Sequence, residues 1–225
     1  MVRAMFNNIA HRYDFLNHFL SAGIDFVWRR KAVNRLKEIS PRTILDIATG
    51  TADLAIEAIR LKPEKIIGID IAEAMLEHGR KKVRRKGLDN LITLETGDSE
   101  ALRFADNSFD AVMVAFGVRN FGNLRKGLSE MHRVLKPGGM AVILEFSMPR
   151  KWPFRRLYLF YFRFILPLVG RLVSGDPAAY TYLPESVSQF PDGTDFLKIL
   201  EDTGFHNTKH TSLTFGIASI YTGIR

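Results

Sequence analysis

A short stretch, Asp46–Asp53, constrains the fold of this chain of 225 residues more than any other part of its sequence. It joins an apolar run that ends near Leu45 to a helical pattern that begins at Leu54. A strand, a turn of small residues and a helix form the first half of a nucleotide-binding βαβ unit. Asp70 ends the next predicted strand, 20 residues after Gly50, where its carboxylate can accept both hydroxyls of a ribose. The spacing predicts a ligand that contains adenosine.

The turn departs from the pattern that binds dinucleotides. In that pattern a G-x-G-x-x-G loop holds a pyrophosphate on backbone amides at a helix start. Here Gly50, Ala52 and Ala55 occupy the glycine positions, and Asp46 and Asp53 bracket the loop. Two carboxylates would repel a pyrophosphate. They favour S-adenosylmethionine, which has no phosphate and carries a sulfonium and an ammonium group.

A further acidic turn, Gly97-Asp98-Ser99, follows the predicted strand at 91–96. Asp98 and Ser99 are placed to hold the amino group of an adenine. A doubly wound protein with ordinary polar loops at its strand ends would explain one such turn. Three acidic turns in order at the ends of successive strands favour a cofactor site.

Composition and charge narrow the class of protein. Hydrophobic residues make up 46% and charged residues 25% of the chain, which is ordinary for a single α/β domain with additions. Cysteine is absent, which excludes disulfides and thiolate chemistry and fits a reducing cytoplasm. The N-terminus has a charged amphipathic pattern and not that of a secretory signal. We expect a cytoplasmic protein that binds no nucleic acid.

The formal charge of +8 comes largely from two local clusters. The basic run Arg80–Lys86 has the features of a solvated helix end, where cations complement the helix dipole. The other cluster is interleaved with aromatic residues and comprises Arg150, Lys151, Arg155, Arg156, Arg163 and Arg171. Its apolar centre, Leu157–Val169, is too short to span a bilayer. This cluster predicts peripheral contact with the inner face of the cytoplasmic membrane, and a helix packed wholly on the protein is the alternative.

The chain divides into four zones within one predicted domain, 1–225. These are a helical cap at 1–40, an alternating core at 42–146, a helical insertion at 147–192, and a C-terminal helix and hairpin at 193–225. In the cap, helices are predicted from Phe6 to Leu20 and from Phe26 to Ile39. Core strands are predicted at 43–47, 65–70, 91–96, 110–116 and 139–146, with Gly138-Gly139 as a turn. The runs 208–215 and 217–224 are too close for a crossover, so they predict an antiparallel hairpin.

This pattern resembles the Rossmann-like class I S-adenosylmethionine-dependent methyltransferases, whose mostly parallel seven-stranded sheet has an antiparallel last strand. More specific stretches resemble the ubiquinone/menaquinone biosynthesis C-methyltransferases, from about residue 5 to the end. They are Phe6–Asp14, Ser21–Ile24, Trp28-Arg29, Phe116–Asn120, Tyr180–Val187 and Gly216–Gly223. Many members have glycine where this chain has Ala52, and a methyl group is tolerated there provided that Ala52 avoids positive φ.

The resemblance implies methyl transfer from S-adenosylmethionine to a ring carbon of a prenylated quinol, with demethylmenaquinol as the expected substrate. It implies cofactor contacts from Thr51, Asp70, Asp98 and Ser99, in addition to Asp46 and Gly50 of the loop. Arg119, Asn120 and Tyr182 are the expected catalytic residues, with Tyr180 beside them. An ion pair from Arg119 to Glu145 or Asp98 is the structural alternative. No metal is expected, since the six histidines are scattered.

Three alternatives remain from the sequence. The substrate could be the equivalent quinol of the ubiquinone pathway or another amphiphile, such as a sterol or a phospholipid amine. The chain could also be a binding protein that keeps the fold without catalysis, although its acidic turns and Arg119-Asn120 are complete. A homodimer is a further expectation.

Overall fold

The structure, a computed structural model, is built on one seven-stranded sheet in the order β3-β2-β1-β4-β5-β7-β6. It describes Ser21, residues 23–161, Phe164 and residues 177–225. The strands are β1 Thr43–Ile47, β2 Lys65–Asp70, β3 Ile92–Thr96, β4 Phe109–Ala115, β5 Leu135–Phe146, β6 His206–Leu213 and β7 Ala218–Ile224. The first five strands pair in parallel, and β7 is antiparallel to both of its neighbours. The predicted sheet and its C-terminal hairpin are therefore confirmed.

Helices flank the sheet. They are α1 Ile24–Arg35, α2 Asp53–Ala58, α3 Glu73–Arg85, α4 Leu124–Val134, α5 Phe154–Phe160, α6 Pro177–Gln189 and α7 Thr194–Asp202. The helix predicted from Phe26 to Ile39 is α1, followed by a 3-10 turn at Leu36–Glu38. The helix predicted from Phe6 to Leu20, with His11 and His18, lies outside the described residues.

The core lies on both faces of the sheet because helices cover both. On one face, Trp28 of α1 packs with Ile44 and other buried residues of the strands. On the other, the neighbouring Leu45 packs with residues of α4 and α7, such as Leu128 and Phe196. Adjacent residues of β1 thus face opposite sides, and both sides are buried, which accounts for the nearly continuous apolar strand.

The fifth strand begins earlier than the sequence indicates. Leu135 already pairs with Phe109, and the register shifts before Ala111 pairs with Met140. Gly139 lies in this irregular stretch, where a Cβ would come within 2.9 Å of the Asp110 and Lys136 carbonyl oxygens. The turn expected at Gly138-Gly139 is therefore wrong, because close backbone packing carries the chain through as a bulged strand.

The strand order reverses between β1 and β4. The chain runs outward from β1 through β2 to β3 and then returns to place β4 beside β1. At such a point the connections after the two strands leave in opposite directions, and a crevice opens at the carboxyl edge. The loop Ala48–Ala52, Asp70, the turn at Gly97 and the 3-10 turn Val118–Asn120 all lie at this edge. Within the described residues, no helix is both long and apolar enough to cross a bilayer.

Candidate active site

The loop between β1 and α2 has an unusual backbone. Ala48, Gly50 and Ala52 all have positive φ, at 53°, 55° and 69°. The condition given for tolerating Ala52, that it avoids positive φ, is therefore not met, and this conformation costs an L-residue roughly 1–2 kcal/mol. The Ala52 methyl group is fully buried in the core, which offsets part of that cost.

Helix α3 packs directly on this loop. Gly79 has no side chain, and a Cβ there would lie 3.2 Å from the Thr51 carbonyl carbon and 3.4 Å from the Gly50 carbonyl oxygen. One turn later, the Lys82 ammonium lies 3.2 Å from the Thr51 hydroxyl. The loop is thus supported from behind by a helix that follows β2.

Asp70 ties the end of β2 to the same loop. Its Oδ2 accepts the Gly50 N–H at 2.8 Å, and its Oδ1 accepts the Ala72 N–H at 2.8 Å. Burial raises the pKa of Asp70, while these backbone hydrogen bonds oppose the rise. Each carboxylate oxygen keeps a second lone pair, so the side chain can still accept hydrogen bonds from a ligand.

The turn after β3 is shaped by its own side chains. Asp98 is exposed, and its Oδ1 accepts the Glu100 N–H at 2.9 Å. Glu100 in turn accepts the Asn123 N–H at 2.8 Å. Gly97 passes close to Ile69, where a Cβ would lie 3.1 Å from that side chain. The turn therefore lies directly against the end of β2.

These strand ends enclose a cavity of about 440 Å³, within the usual range for ligand pockets. Its lining includes Gly50, Asp70, Met75, Asp98, Ser99, Phe116 and Asn120. Four of the six residues predicted to bind the cofactor therefore share one space. Asp46 and Thr51 line a smaller adjoining cavity of about 30 Å³, which has Gly50 and Phe116 in common with the larger one. Met75 and Phe116 carried no sequence signal as site residues.

Asp46 is the buried acid of this site, with only 1% of its surface exposed. Its Oδ2 accepts the Thr49 hydroxyl at 2.6 Å, whereas its Oδ1 has no hydrogen-bond partner among the described residues. Burial raises the pKa of Asp46 to about 7, with the Thr49 hydrogen bond opposing the shift. The site thus contains one buried acceptor that a cationic ligand group would satisfy.

Asp53 differs from Asp46 in its environment. Lys82 lies 2.6 Å from its Oδ1, and Arg29 lies 3.7 Å from its Oδ2. Its charge is therefore balanced, so Asp53 contributes less than Asp46 to the acidic character that the sequence predicts for the loop. The basic run Arg80–Lys86 is only partly a solvated helix end, because Lys82 makes this contact and Arg80 pairs with Glu73 at 2.5 Å.

Arg119 forms the ion pair with Glu145 that the sequence left as a structural alternative. Its Nη1 lies 2.7 Å from Glu145 Oε1 and donates to the Phe116 carbonyl at 2.5 Å. The Arg119 and Glu145 side chains are only 7% and 0% exposed. The Arg119 backbone N–H also donates to Glu145 Oε2 at 3.2 Å. Arg119 lines a separate pocket of about 290 Å³ with Tyr182, and it does not line the larger cavity.

Asn120 and Tyr182 connect these two spaces. The Tyr182 hydroxyl donates to Asn120 Oδ1 at 2.7 Å, and Asn120 lines the larger cavity. Burial raises the pKa of Tyr182, and the charge of Arg119 opposes the shift. Arg119 Nε also lies 3.3 Å from the Ser186 hydroxyl. The predicted catalytic residues therefore form one network, of which Asn120 is the member that faces the cavity. The Tyr180 side chain lies outside what the structure describes.

Comparison with known families identifies the family of the whole chain. The model of the ubiE/COQ5 methyltransferase family matches residues 1–225. The chain belongs to this family. As a member of the ubiE/COQ5 methyltransferase family, it is a methyltransferase, and the resemblance described from the sequence is confirmed.

Curated relatives within the ubiE/COQ5 family match at full length. A demethylmenaquinone methyltransferase of Bacteroides fragilis is 48% identical over 225 residues, which are 100% of this chain and 92% of the relative. A ubiquinone/menaquinone biosynthesis C-methyltransferase of Geobacter sulfurreducens is 49% identical over 224 residues, 99% of this chain and 87% of the relative.

Solved structures show the same fold at low identity. A SAM-dependent methyltransferase of Thermotoga maritima has a TM-score of 0.69 and 19% identity, with 98% of each chain covered. A SAM-dependent methyltransferase of Aquifex aeolicus has a TM-score of 0.61 and 21% identity, covering 86% of this chain and 88% of that one. These likenesses support the Rossmann-like architecture, and the site residues carry the argument about chemistry.

Proposed function

We propose that this protein transfers a methyl group from S-adenosylmethionine to a ring carbon of a prenylated quinol, converting demethylmenaquinol to menaquinol. The observation that carries the proposal is the cavity at the carboxyl edge of the sheet. It joins the acidic strand ends at Asp70 and Asp98 to Asn120 in one space. Full-length relatives named for demethylmenaquinone and for ubiquinone/menaquinone methylation support the substrate class.

The residues present fit the methyl donor. Asp70 retains acceptor capacity for two ribose hydroxyls, while Asp98 and Ser99 line the same cavity and can bind the adenine edge. The buried, unpartnered Asp46 Oδ1 suits the ammonium group of the donor. Thr51, which lines the smaller cavity with Asp46, supplies a hydroxyl beside it. When bound, the donor supplies a methyl group already activated by its positive sulfur.

The chain's part in the reaction is to hold a reduced ring beside that methyl group and to favour loss of a ring hydroxyl proton. An oxidised quinone is electron-poor and cannot attack an electrophilic methyl group, whereas a quinol, and its mono-anion still more, can. Tyr182 donates to Asn120 Oδ1, so the Asn120 amide N–H groups remain for the ring oxygen. Such donors stabilise the aryl-oxide that develops as the carbon attacks.

Arg119 acts in this proposal through the turn that carries Asn120. Because Glu145 balances its charge in a buried pair, Arg119 offers little net field at the ring. Its hydrogen bonds to Glu145, the Phe116 carbonyl and Ser186 instead fix the backbone of Val118–Asn120. Arg119 therefore has a positioning role in this proposal, and Asn120 makes the direct contact with the ring oxygen.

We also propose that the substrate is taken from a membrane surface. Trp152, Leu157 and Phe215 are exposed by 77%, 66% and 66%. Phe154 stacks on Phe215 with ring centroids 4.0 Å apart. Exposed cations are the neighbours of Trp152 and Leu157 in the chain, namely Lys151, Arg155, Arg156 and Arg150, of which Arg150 pairs with Asp192 at 2.8 Å. A segment of exposed apolar side chains interleaved with exposed cations is suited to an anionic bilayer, where a prenylated quinol resides.

A direct assay tests the proposed reaction. Purified protein is supplied with S-adenosylmethionine and with reduced or oxidised short-chain demethylmenaquinone, and methylated product is measured by mass spectrometry. We expect turnover only under reducing conditions, resistance to EDTA, and a slower reaction with a demethoxyubiquinol analogue. Equal rates on the oxidised quinone would contradict the chemistry. Binding of the donor without turnover on any quinol would favour a binding protein. Turnover on a sterol or a phospholipid amine would identify that compound, and not demethylmenaquinol, as the substrate.

A further inference from the structure

The small cavity beside the loop Ala48–Ala52 contains a cation that the sequence left without a role. Arg29 of α1 lines this space together with Asp46, Thr51 and Asp53. The cavity opens toward the larger one along Gly50 and Phe116, which line both. Its volume of about 30 Å³ exceeds the ~10–15 Å³ that one water requires. A small polar head group can therefore reach into it from the larger cavity, with part of that group remaining in the larger space.

Arg29 is deeply buried and incompletely hydrogen-bonded. Only 6% of its surface is exposed, and its guanidinium lies over the Phe116 ring at 5.7 Å from the centroid. Its Nη1 donates to Asp25, and Asp53 Oδ2 lies 3.7 Å from Nη2, beyond hydrogen-bond reach. Within the described part of the chain, the bond to Asp25 is its one hydrogen bond, whereas a guanidinium carries five N–H donors.

The cavity thus contains a buried guanidinium with unused N–H donors and a buried carboxylate oxygen that accepts no hydrogen bond. Asp46 Oδ1 lacks a hydrogen-bond partner among the described residues. Buried donors and acceptors without partners are costly. A ligand group that bears both an acceptor anion and a donor cation would satisfy both sides at once. The α-amino acid head group of the methyl donor is such a zwitterion.

We propose that Arg29 binds the carboxylate of the methyl donor while Asp46 binds its ammonium group. This assignment rests on the proposed function, because it takes S-adenosylmethionine as the ligand. Lys82 is the other cation near the loop, but it pairs with Asp53 at 2.6 Å and lines neither cavity. Helix α1 then contributes directly to cofactor binding, in addition to covering the core.

Calorimetry with head-group analogues tests the assignment on the whole protein. S-adenosylhomocysteine carries both head-group charges, decarboxylated S-adenosylmethionine lacks only the carboxylate, and methylthioadenosine lacks the head group. We expect Arg29→Ala to weaken S-adenosylhomocysteine binding by at least tenfold. Its affinity for the other two ligands should match that of the unaltered protein. Arg29→Lys, which keeps the charge, should recover part of the loss.

Arg30→Ala is the matched control. Arg30 is the next residue of α1, its side chain is 62% exposed, and it pairs with Glu57 on the surface. All three affinities should be unchanged in this variant, and its thermal melt should resemble that of Arg29→Lys. If Arg29→Ala does not fold, Arg29→Lys and Arg29→Gln give the same comparison.

The outcomes separate the two proposals. Equal weakening of all three ligands in the Arg29 variants would make Arg29 purely structural, and unchanged S-adenosylhomocysteine affinity would remove it from the site. Either result overturns the assignment. Failure of the unaltered protein to bind any of these three adenosine ligands would instead overturn the proposed function.

Discussion

The Tyr182 hydroxyl lies 2.7 Å from Asn120 Oδ1 and joins helix α6 to the turn after β4. Ser186, one helical turn further along α6, lies 3.3 Å from Arg119 Nε. The helix therefore contacts both residues that the sequence singled out at the end of the fourth strand. The hydrogen bond occupies the Asn120 carbonyl oxygen, so in the proposed reaction the Asn120 N–H groups are the ones that contact the substrate.

Removing that hydroxyl should slow catalysis without affecting the cofactor. We expect Tyr182→Phe to lower turnover about five- to tenfold, since one neutral hydrogen bond is worth roughly 1 kcal/mol. S-adenosylhomocysteine affinity should stay the same, because Tyr182 does not line the larger cavity. Steady-state kinetics and calorimetry measure both. Ser188→Ala is the control, since that exposed hydroxyl bonds only within its own helix. Full turnover in Tyr182→Phe would remove the residue from the catalytic network.

Breaking the Arg119–Glu145 pair should cost both turnover and stability. Arg119→Ala leaves a buried carboxylate without its cation, a change worth about 3–5 kcal/mol in comparable pairs. We expect turnover to fall by roughly 10²–10³, comparable to the loss of an oxyanion-hole donor, with cofactor binding nearly intact. In Arg119→Met with Glu145→Gln, chemical denaturation should show most of the stability restored while turnover stays low. Recovery of turnover in this double variant would show that the pair serves only folding.

Loss of the Asp70 carboxylate should weaken binding of the cofactor. Each charge-assisted hydrogen bond is worth roughly 1.5–3 kcal/mol, so Asp70→Ala should lower S-adenosylmethionine affinity by at least about tenfold. Asp70→Asn keeps one acceptor oxygen, so its affinity should lie between that of Asp70→Ala and that of the unaltered protein. Asp89→Ala is the control, since that side chain is exposed before β3. Unchanged affinity in Asp70→Ala would take this residue out of the site.

The raised pKa of Asp46 predicts opposite pH trends for stability and for binding. The folded carboxyl titrates at about 7, and its ordinary value is 3.8. Between these values the folded protein holds a proton that the unfolded chain releases. This contribution to the free energy of unfolding is therefore complete below pH 3.8 and is lost as the pH rises to about 7.

Affinity for a cationic head group should rise over the same range, because only the ionised carboxylate attracts an ammonium group. We expect S-adenosylhomocysteine affinity to increase from pH 5.5 to 7.5 by about tenfold per unit below the pKa, with methylthioadenosine as the flat control. In denaturation at the same pH values, the free energy of unfolding of Asp46→Asn should fall less with rising pH than that of the unaltered protein. A pH-independent affinity would show that Asp46 does not bind the head group.

The exposed aromatic and basic residues should confer binding to anionic vesicles. In liposome flotation we expect the protein to bind anionic vesicles and to bind neutral ones weakly. Arg155→Gln with Arg156→Gln should lower binding roughly tenfold or more, since each cation near the surface contributes about 1 kcal/mol. Arg84→Gln with Arg85→Gln removes two exposed cations of α3 and is the matched control. Equal binding to neutral and anionic vesicles, or none to either, would contradict the electrostatic contact.

The sequence predicts those features of the fold that depend on neighbours along the chain. Strand β1 and the position of Asp70 follow from apolar runs and spacing, and both agree with the structure. The start of β5 does not follow, because Leu135 pairs with Phe109 across a bulge. A glycine pair has the same local pattern in a turn and in a bulged strand.

Electrostatic partners were the least predictable part of the site. Asp46 and Asp53 look alike in the sequence, but Lys82 of another helix neutralises only Asp53. Similarly, Arg119 is equally compatible with a ring oxygen and with Glu145 until the sheet brings β5 beside β4. Such pairings depend on contacts between distant segments, which periodicity and spacing do not encode.

Gly79 has a consequence for the order of events in binding. Because α3 packs on the backbone of Gly50 and Thr51 through this glycine, we expect the whole loop, with the left-handed Ala48 and Ala52, to keep its conformation before a ligand arrives. Their strain is therefore set when the protein folds and does not oppose the arrival of a ligand. The loop acts as a rigid receptor, so association with the methyl donor should be limited by diffusion into the cavity and not by rearrangement of the loop.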